Sequence, residues 1–194
     1  MANLSDRAGA PKFDALTDTP STKVANKVVQ VNAAGTDLEY GTSLNSASVA
    51  IGLDSGTTNQ GSDSIAIGLN AGNDTQGVGN IALGKNAGQT NQGAGALAIG
   101  ENAGQTTQGL QCFAIGANAG GNTQGNYSMA LGTNAGNQTQ GSSCTAIGTN
   151  AGRLNQGDAA LAVGPSAGDT NQGIYAVALG LSAGQNNQIG RAHV

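Results

Sequence analysis

The chain of 194 residues has few of the residues from which catalytic and metal sites are built. It contains no tryptophan, two phenylalanines, three tyrosines and one histidine, and only 9% of its residues are charged. A single histidine leaves little for a general base or a zinc site, and the Ser, His and Asp residues form no clustered constellation. We therefore expect no enzyme and no cofactor, and we assign no catalytic, cofactor-binding or metal-binding residue.

Basic residues and long apolar runs are also scarce. Between residues 49 and 190 the only cations are Lys85 and Arg153, whereas nucleic-acid binding needs a basic patch. No apolar run approaches the roughly 20 residues of a membrane span. The apolar segment of a secretory signal is missing from the N-terminal sequence MANLSDRAGAPKFDA. These absences predict a protein that binds no nucleic acid, inserts into no membrane and is not exported by that route.

What the chain does contain is a sixteen-residue unit, repeated nine times without insertion or deletion. A glycine marks the same position of every unit: Gly52, Gly68, Gly84, Gly100, Gly116, Gly132, Gly148, Gly164 and Gly180. A glutamine keeps the same step from Gln60 to Gln188. Strict phase of this kind is typical of a solenoid in which each unit is one turn. We predict an all-β, parallel β-solenoid over residues 49–194.

Each unit begins with an alternating segment such as Ile65-Ala66-Ile67, which predicts a strand. Equivalent residues of successive units form columns, and the two columns that flank the alanine are apolar. The first reads Val49, Ile65, Ile81, Leu97, Phe113, Met129, Thr145, Leu161, Val177, and the second Ile51, Ile67, Leu83, Ile99, Ile115, Leu131, Ile147, Val163, Leu179. We expect these two columns to form the interior. The alanine column, Ala50 to Ala178, then faces the other way, against either a second subunit or the other half of its own chain.

A corner follows each strand, built from residues such as Gly68, Asn70, Ala71 and Gly72. Asparagine recurs at this corner, and stacked asparagines can form a hydrogen-bonded ladder without any ligand. The column comprises Asn70, Asn86, Asn102, Asn118, Asn134 and Asn150, with Asp54, Ser166 and Ser182 at its ends. Calcium-binding repeats place carboxylates in fixed columns, whereas the acids here are scattered: Asp54, Asp63, Asp74, Glu101, Asp158 and Asp169.

A short polar strand or extended turn completes the unit, and its glutamine is expected to bond backbone groups at the second corner. Nine turns at about 4.8 Å each predict a rod roughly 40 Å long. Burial of two or three apolar residues per unit gives little free energy compared with the entropy cost of ordering sixteen residues. We therefore expect symmetric association, through the alanine face.

The cysteines and the histidine have simple interpretations. Cys112 and Cys144 share a column two units apart, which at about 9–10 Å exceeds the reach of a disulfide. They are predicted to be small apolar fillers, the alternative being a bridge between chains. His193 is predicted to be a terminal remnant of a tenth unit, not a catalytic base.

The segment Ser48-Val-Ala-Ile-Gly52 and the pattern Ala-Ile-Gly-x-Asn-Ala-Gly resemble head repeats of trimeric autotransporter adhesins. In that family three chains each form a left-handed parallel β-roll. The resemblance covers residues 48–190 and implies a homotrimer and left-handed coils.

The N-terminal segment, residues 1–48, resembles a different group. Phe13-Asp-Ala-Leu-Thr-Asp-Thr-Pro20 and residues 27–41 look like a segment of phage and large-virus fibre proteins that precedes the shaft or head. Val28, Val29 and Val31 predict one strand, residues 32–35 a turn and residues 38–40 a second strand. This hairpin segment is expected to attach the chain to other virion proteins, and residues 1–12 are expected to be either flexible or ordered by a partner.

These observations favour a structural fibre or spike of a virion, assembled in the host cytoplasm and either adhesive or decorative. A host receptor or glycan would contact either the C-terminal tip or the variable columns: Leu110/Gln111, Asn126/Tyr127 and Ile174/Tyr175. Tyr127 and Tyr175 suit either carbohydrate stacking or packing at an interface. One alternative is the head of a bacterial trimeric adhesin. Another is an ice-binding solenoid, because Thr75, Thr107, Thr123 and Thr139 share one column, which asparagines interrupt. A depolymerase would need paired carboxylates, and Asp158 and Asp169 are not such a pair.

Overall fold

The computed structural model describes residues 29–31, 38–40 and 48–189. The chain divides into two units, Met1–Leu44 and Asn45–Val194, where the sequence placed the boundary after residue 48. In the first unit β1 (Val29–Val31) and β2 (Leu38–Tyr40) pair antiparallel, as the predicted hairpin requires. Val28, residues 1–12, the turn at 32–35 and His193 lie outside the described residues.

The second unit is a parallel β-solenoid, which confirms the predicted fold class. Two strands per coil alternate between two sheets of nine and eight strands, and every pair within these sheets is parallel with a sixteen-residue step. The nine-stranded sheet contains β3 (Val49–Ile51), β5 (Ile65–Ile67), β7 (Ile81–Leu83), β9 (Leu97–Ile99), β11 (Phe113–Ile115), β13 (Met129–Leu131), β15 (Thr145–Ile147), β17 (Leu161–Val163) and β19 (Val177–Leu179). The eight-stranded sheet contains β4 (Thr58–Gln60), β6 (Asp74–Gln76), β8 (Thr90–Gln92), β10 (Thr107–Gln108), β12 (Thr123–Gln124), β14 (Thr139–Gln140), β16 (Leu154–Gln156) and β18 (Thr170–Gln172). The left-handed sense of the coils stays a prediction.

The corner after each strand of the nine-stranded sheet needs glycine for two reasons. Gly68 has φ +128°, and a Cβ at that position would lie 2.6 Å from the carbonyl oxygen of Gly84 in the next coil. Any larger residue would therefore push neighbouring coils apart. Two residues later Asn70 adopts φ 54° and its amide donates to Asn86 Oδ1 at 3.1 Å. The predicted asparagine ladder is confirmed, and it continues through Asn150.

The interior consists of small side chains rather than the large apolar ones. Two alanine columns, represented by Ala66 and Ala71, are fully buried and form one continuous cluster between the sheets. The cross-section has no spare room: a Cβ added at Gly104 would lie 2.7 Å from Gln108 Oε1 and 3.3 Å from Ala98 Cβ. The coil is therefore too flat to enclose two large side chains per turn.

The prediction that the Ile65 and Ile67 columns form the interior is wrong. Both columns face outward, and Ile81 and Leu83 are 37% and 39% exposed in the isolated chain. Period-two alternation places the flanking residues opposite the alanine, but it does not say which side is inside. The proposed subunit contact on the alanine face is wrong for the same reason. The alternative is confirmed, because the alanines pack against the other half of their own chain.

Buried glutamines join the two sheets on the eight-stranded side, and they are among the largest fully buried side chains of residues 48–189. Gln124 Nε2 donates to the backbone oxygens of Phe113 and Ser128 at 3.0 and 3.1 Å. Gln92 donates to Gln108 Oε1 in the next coil at 3.0 Å. The expectation that this column bonds the backbone at the corner is confirmed.

Candidate association surface

The outward side of the nine-stranded sheet carries a continuous row of large apolar side chains, which we call the apolar face. It consists of the columns Val49–Val177 and Ile51–Leu179, that is, the first and third residues of β3, β5, β7, β9, β11, β13, β15, β17 and β19. None of these residues is charged, and Thr145 is the one polar residue among them. Each is half-buried or exposed in the isolated chain; Phe113 is 42% exposed.

The dimensions of the apolar face follow from the strand geometry. Nine strands about 4.8 Å apart extend for about 40 Å, and three residues per strand give a width of about 10 Å. Contiguous exposed apolar patches of this size on soluble proteins mark contact sites. The face is straight and periodic, because equivalent residues of successive strands are in exact register, as in the pairing of Phe113 with Met129 and Leu97.

Exposed apolar residues extend this surface around both adjoining corners. Leu53, Leu69 and Leu181 lie beyond the third strand residue, and Leu181 is 77% exposed. Val78, Leu110 and Ile174 lie at the opposite corner, each at least 44% exposed. The additional apolar area is patchy, since polar or small residues occupy the same columns in the other coils.

The corner that holds the predicted receptor-contacting residues has an unusual backbone. Gln111, Tyr127 and Tyr175 all have φ between 51° and 61°, and both tyrosines are more than half exposed. Two glycines, Gly79 and Gly95, occupy the same column with φ near 70°. Because glycine adopts positive φ readily, these two glycines could have predicted a left-handed backbone in this column. The structure confirms that these residues are exposed, and their contact with a receptor stays a prediction.

The outward side of the eight-stranded sheet is polar, and we call its exposed column, Asn59 to Asn187, the polar face. The four threonines of the ice-binding alternative lie in it and are exposed. They do not form a uniform array: Thr75 has φ 50°, as do the asparagines of the column, whereas Thr107, Thr123 and Thr139 do not adopt positive φ. Thr75 is also separated from the other three by Asn91. The regular lattice that ice binding requires is therefore limited to three adjacent coils.

Two pairs of charged groups on the described surface form ion pairs between successive coils. Lys85 Nζ lies 3.0 Å from Glu101 Oε1, and Arg153 Nε lies 2.7 Å from Asp169 Oδ1. Asp158 Oδ1 accepts a hydrogen bond from the Ser142 amide at 2.8 Å, so Asp158 and Asp169 serve separate partners. Within residues 48–189 and the two N-terminal strands, no cluster of three His, Cys, Asp or Glu side chains could hold a metal ion. The described part of the chain also has no helix that is long and apolar enough to span a membrane.

Both cysteines are free and buried, as the filler interpretation predicts. Cys112 Sγ donates to the carbonyl oxygen of Gly125 at 2.8 Å, and Cys144 Sγ makes the same contact with Gly157. Ser128 Oγ occupies the equivalent position and donates to Gly141 at 2.6 Å. Burial raises the pKa of both thiols. A disulfide between chains is incompatible with this buried position.

Comparison with known protein families, with curated proteins and with solved structures finds no match to this chain.

Proposed function

We propose that this chain is a self-associating structural rod, the shaft or head of a fibre or spike that projects from a virion. The observation that carries the proposal is the uncharged apolar face along all nine coils. An isolated chain would leave this face in water, while its interior buries mainly alanine and glutamine. Association of copies through the apolar face would bury the large side chains that the coil cannot enclose.

The trimeric state and the virion location have other supports. Three copies are what the resemblance of residues 48–190 to adhesin head repeats implies, and three-fold packing would place three apolar faces around one axis. Attachment to other virion proteins through residues 1–48 rests on the resemblance of that segment to fibre proteins. Contact with a host receptor or glycan is proposed for the corner with Leu110, Tyr127 and Tyr175, which is exposed in the isolated chain and lies beside the apolar face.

Native mass across a wide range of dilution tests the association. We expect a species of three times the 18.8 kDa chain mass that persists to low concentration. A folded monomer at every concentration would contradict the proposal, because the apolar face would then be stable in water. Immunoelectron microscopy of purified virus particles tests the location, and label along projections is the expected result.

A further inference from the structure

We infer that Ile189 closes the end of the stack formed by the ninth coil against any further coil of the same geometry. This exclusion applies equally to a coil built from following residues and to the first coil of a second copy. The inference is independent of the association proposed through the apolar face, because it concerns the end of the rod and not its side. It makes the length of the stack a property of one residue.

A glycine follows each glutamine of the repeat, at the second corner of the coil, and we call this column the second-corner glycines. They are Gly61, Gly77, Gly93, Gly109, Gly125, Gly141, Gly157 and Gly173. None of them adopts positive φ. The backbone of this column is therefore open to any residue, and its glycines must have another cause.

That cause is the close approach of the next coil. A Cβ added at Gly61 would lie 2.3 Å from the carbonyl oxygen of Gly77, and one added at Gly157 would lie 2.7 Å from the Ile174 nitrogen. From Gly61 to Gly157, every second-corner glycine has such a contact with the backbone of the next coil at 2.7 Å or less. A hydrogen bond from the Gly157 nitrogen to the Gln172 oxygen at 2.7 Å holds the coils together at this point. The coils therefore cannot separate to admit a Cβ without losing that bond.

Ile189 occupies the next position of this column, sixteen residues after Gly173. The ninth coil still stacks on the eighth, because the Gly173 nitrogen donates to the Gln188 oxygen at 2.7 Å. Ile189 itself is 92% exposed. A further coil in the same register would bring its backbone as close to the Ile189 Cβ as the 2.3–2.7 Å found along the column. The rest of the branched side chain would add to this clash.

Other features of the described residues mark the ninth coil as an uncovered end. Its strand β19 is the last strand of the nine-stranded sheet, and Leu179 is 71% exposed where the equivalent Leu131 is 39% exposed. Among the described residues, none lies within 4 Å of a Cβ added at Gly180, so the first corner keeps the space that a further coil needs. An uncovered edge strand is a template for pairing with another chain. Ile189 blocks that pairing for a complete coil at the second corner.

Added coils test the inference. Directly after residue 189 we would insert two consecutive copies of residues 78–93, an internal coil that continues the register and ends in glycine. The host chain would carry Ile189, Ile189→Ala or Ile189→Gly. The nine native coils keep their own contacts in all three chains, so added coils that fail to stack do not prevent folding. Hydrogen exchange measured by mass spectrometry reports whether the first added coil is hydrogen-bonded.

We expect amides of the first added coil to exchange at least about tenfold more slowly with Ile189→Gly than with Ile189. Ile189→Ala should behave like Ile189, because the Cβ alone causes the clash. Equal protection with Ile189 and with Ile189→Gly would overturn the inference, whether the added coil is protected in both chains or in neither. Protection with Ile189→Ala as strong as with Ile189→Gly would overturn it too.

Native mass of the same three chains, measured before exchange, reports the proposed association separately. Monomers would contradict the proposed function and leave the exchange comparison valid, because stacking of the added coil occurs within one chain. Oligomers whose added coil is equally protected with Ile189 and with Ile189→Gly would contradict only the role of Ile189.

Discussion

The two sheets of this solenoid share one backbone repeat but differ in where they place their large side chains. The nine-stranded sheet turns alanine inward and Ile, Leu, Val, Phe and Met outward. The eight-stranded sheet turns glutamine inward and Thr and Asn outward. The inward-facing residues of both sheets are buried, so the two sheets differ in their outward-facing residues. The outward apolar row on one sheet and the outward polar row on the other are the contrast on which the proposed association rests.

The contrast also shows how so small a core can be stable. Alanine and glutamine bury little apolar area, and the glutamine amides instead add hydrogen bonds to backbone oxygens of the strand and of the corner. Stability within one chain therefore rests largely on hydrogen bonds, and burial of the large apolar side chains would come from the association that we propose. The predictions below test this division, beginning with the largest expected effect.

A charged substitution on each face tests the difference between the two faces most directly. Phe113→Asp places a carboxylate on the apolar face of each copy, and an unpaired charge in a covered interface costs several kcal/mol. We expect association to weaken by at least about 100-fold, or about 2.7 kcal/mol. Thr123→Asp, in the same coil on the polar face, is the matched control and should leave the native mass unchanged. Equal masses for the two variants in sedimentation would contradict the assignment of the faces.

Overpacking the interior should be the next largest effect. Ala114 is fully buried between the sheets, so Ala114→Leu forces the sheets apart. We expect the free energy of unfolding to fall by about 1–3 kcal/mol or more. Ala117→Leu, at an exposed position of the corner that follows β11 in the same coil, should change the free energy of unfolding by no more than about 0.5 kcal/mol. Urea unfolding compares the two, and an interior that accepts leucine as readily as the corner does would refute the alanine core.

The glutamine column is tested by an apolar side chain of similar size. Gln124→Met keeps the volume but removes the two bonds to the Phe113 and Ser128 oxygens. The loss of two hydrogen bonds, at about 0.5–1.5 kcal/mol each, should cost about 1–3 kcal/mol. Gln138→Met, at an exposed position of the eight-stranded side, serves as the control and should be close to neutral. A similar thermal midpoint for both variants would mean that the bonds from the glutamine column to the backbone contribute little to stability.

The asparagine ladder should contribute less per residue. Asn118 has φ 55°, accepts from Asn102 and donates to Asn134, each at 3.1 Å. Asn118→Ala loses both bonds and places a Cβ in the left-handed region, for an expected cost of about 1–2 kcal/mol. Asn118→Gly relieves the backbone strain but not the lost bonds, so it should unfold at a higher temperature than the alanine variant. The reverse order would contradict the ladder geometry.

The cysteines provide the smallest effect. Burial raises the pKa of the Cys112 and Cys144 thiols above the value in the unfolded chain, so the folded state holds these protons more tightly. Their contribution to stability is complete below the unfolded thiol pKa and is lost as the pH rises above it. Cys112→Ser with Cys144→Ser should flatten the decline of stability at alkaline pH. An unchanged pH profile would mean that the thiols titrate alike in both states.

The strict repeat made the solenoid, its sixteen-residue coil, the asparagine ladder and the bonding of the glutamine column to the backbone predictable, because each column has one dominant residue with one physical role. Alternation could not predict which side of the first strand faces the interior. Ile65 and Ile67 looked like a core because large apolar side chains are usually inside. The deciding feature is the close approach of the two halves of the coil, where a Cβ added at Gly72 would lie 2.5 Å from Gln76 Cδ. It becomes visible only once the coil is closed.

The exposed corner shows the same limit. Tyr127 and Tyr175 could be identified as variable and aromatic, but their left-handed backbone follows from the closure of every coil at that point. In the sequence, Gly79 and Gly95 were the residues that indicated this left-handed backbone. The trimer and the attachment of residues 1–48 came from resemblance and stay predictions.

Thiol labelling of the assembled protein tests the central claim most directly. In the Cys112→Ser, Cys144→Ser background, Leu97→Cys and Thr107→Cys place one thiol on the apolar face and one on the polar face of the same coil. The isolated chain leaves Leu97 only half-buried, so strong protection there requires another copy. We predict that Leu97→Cys reacts at least about tenfold more slowly than Thr107→Cys, and that the difference shrinks when dilution or Phe113→Asp separates the copies. Equal rates at both positions in the native protein would contradict a covered apolar face.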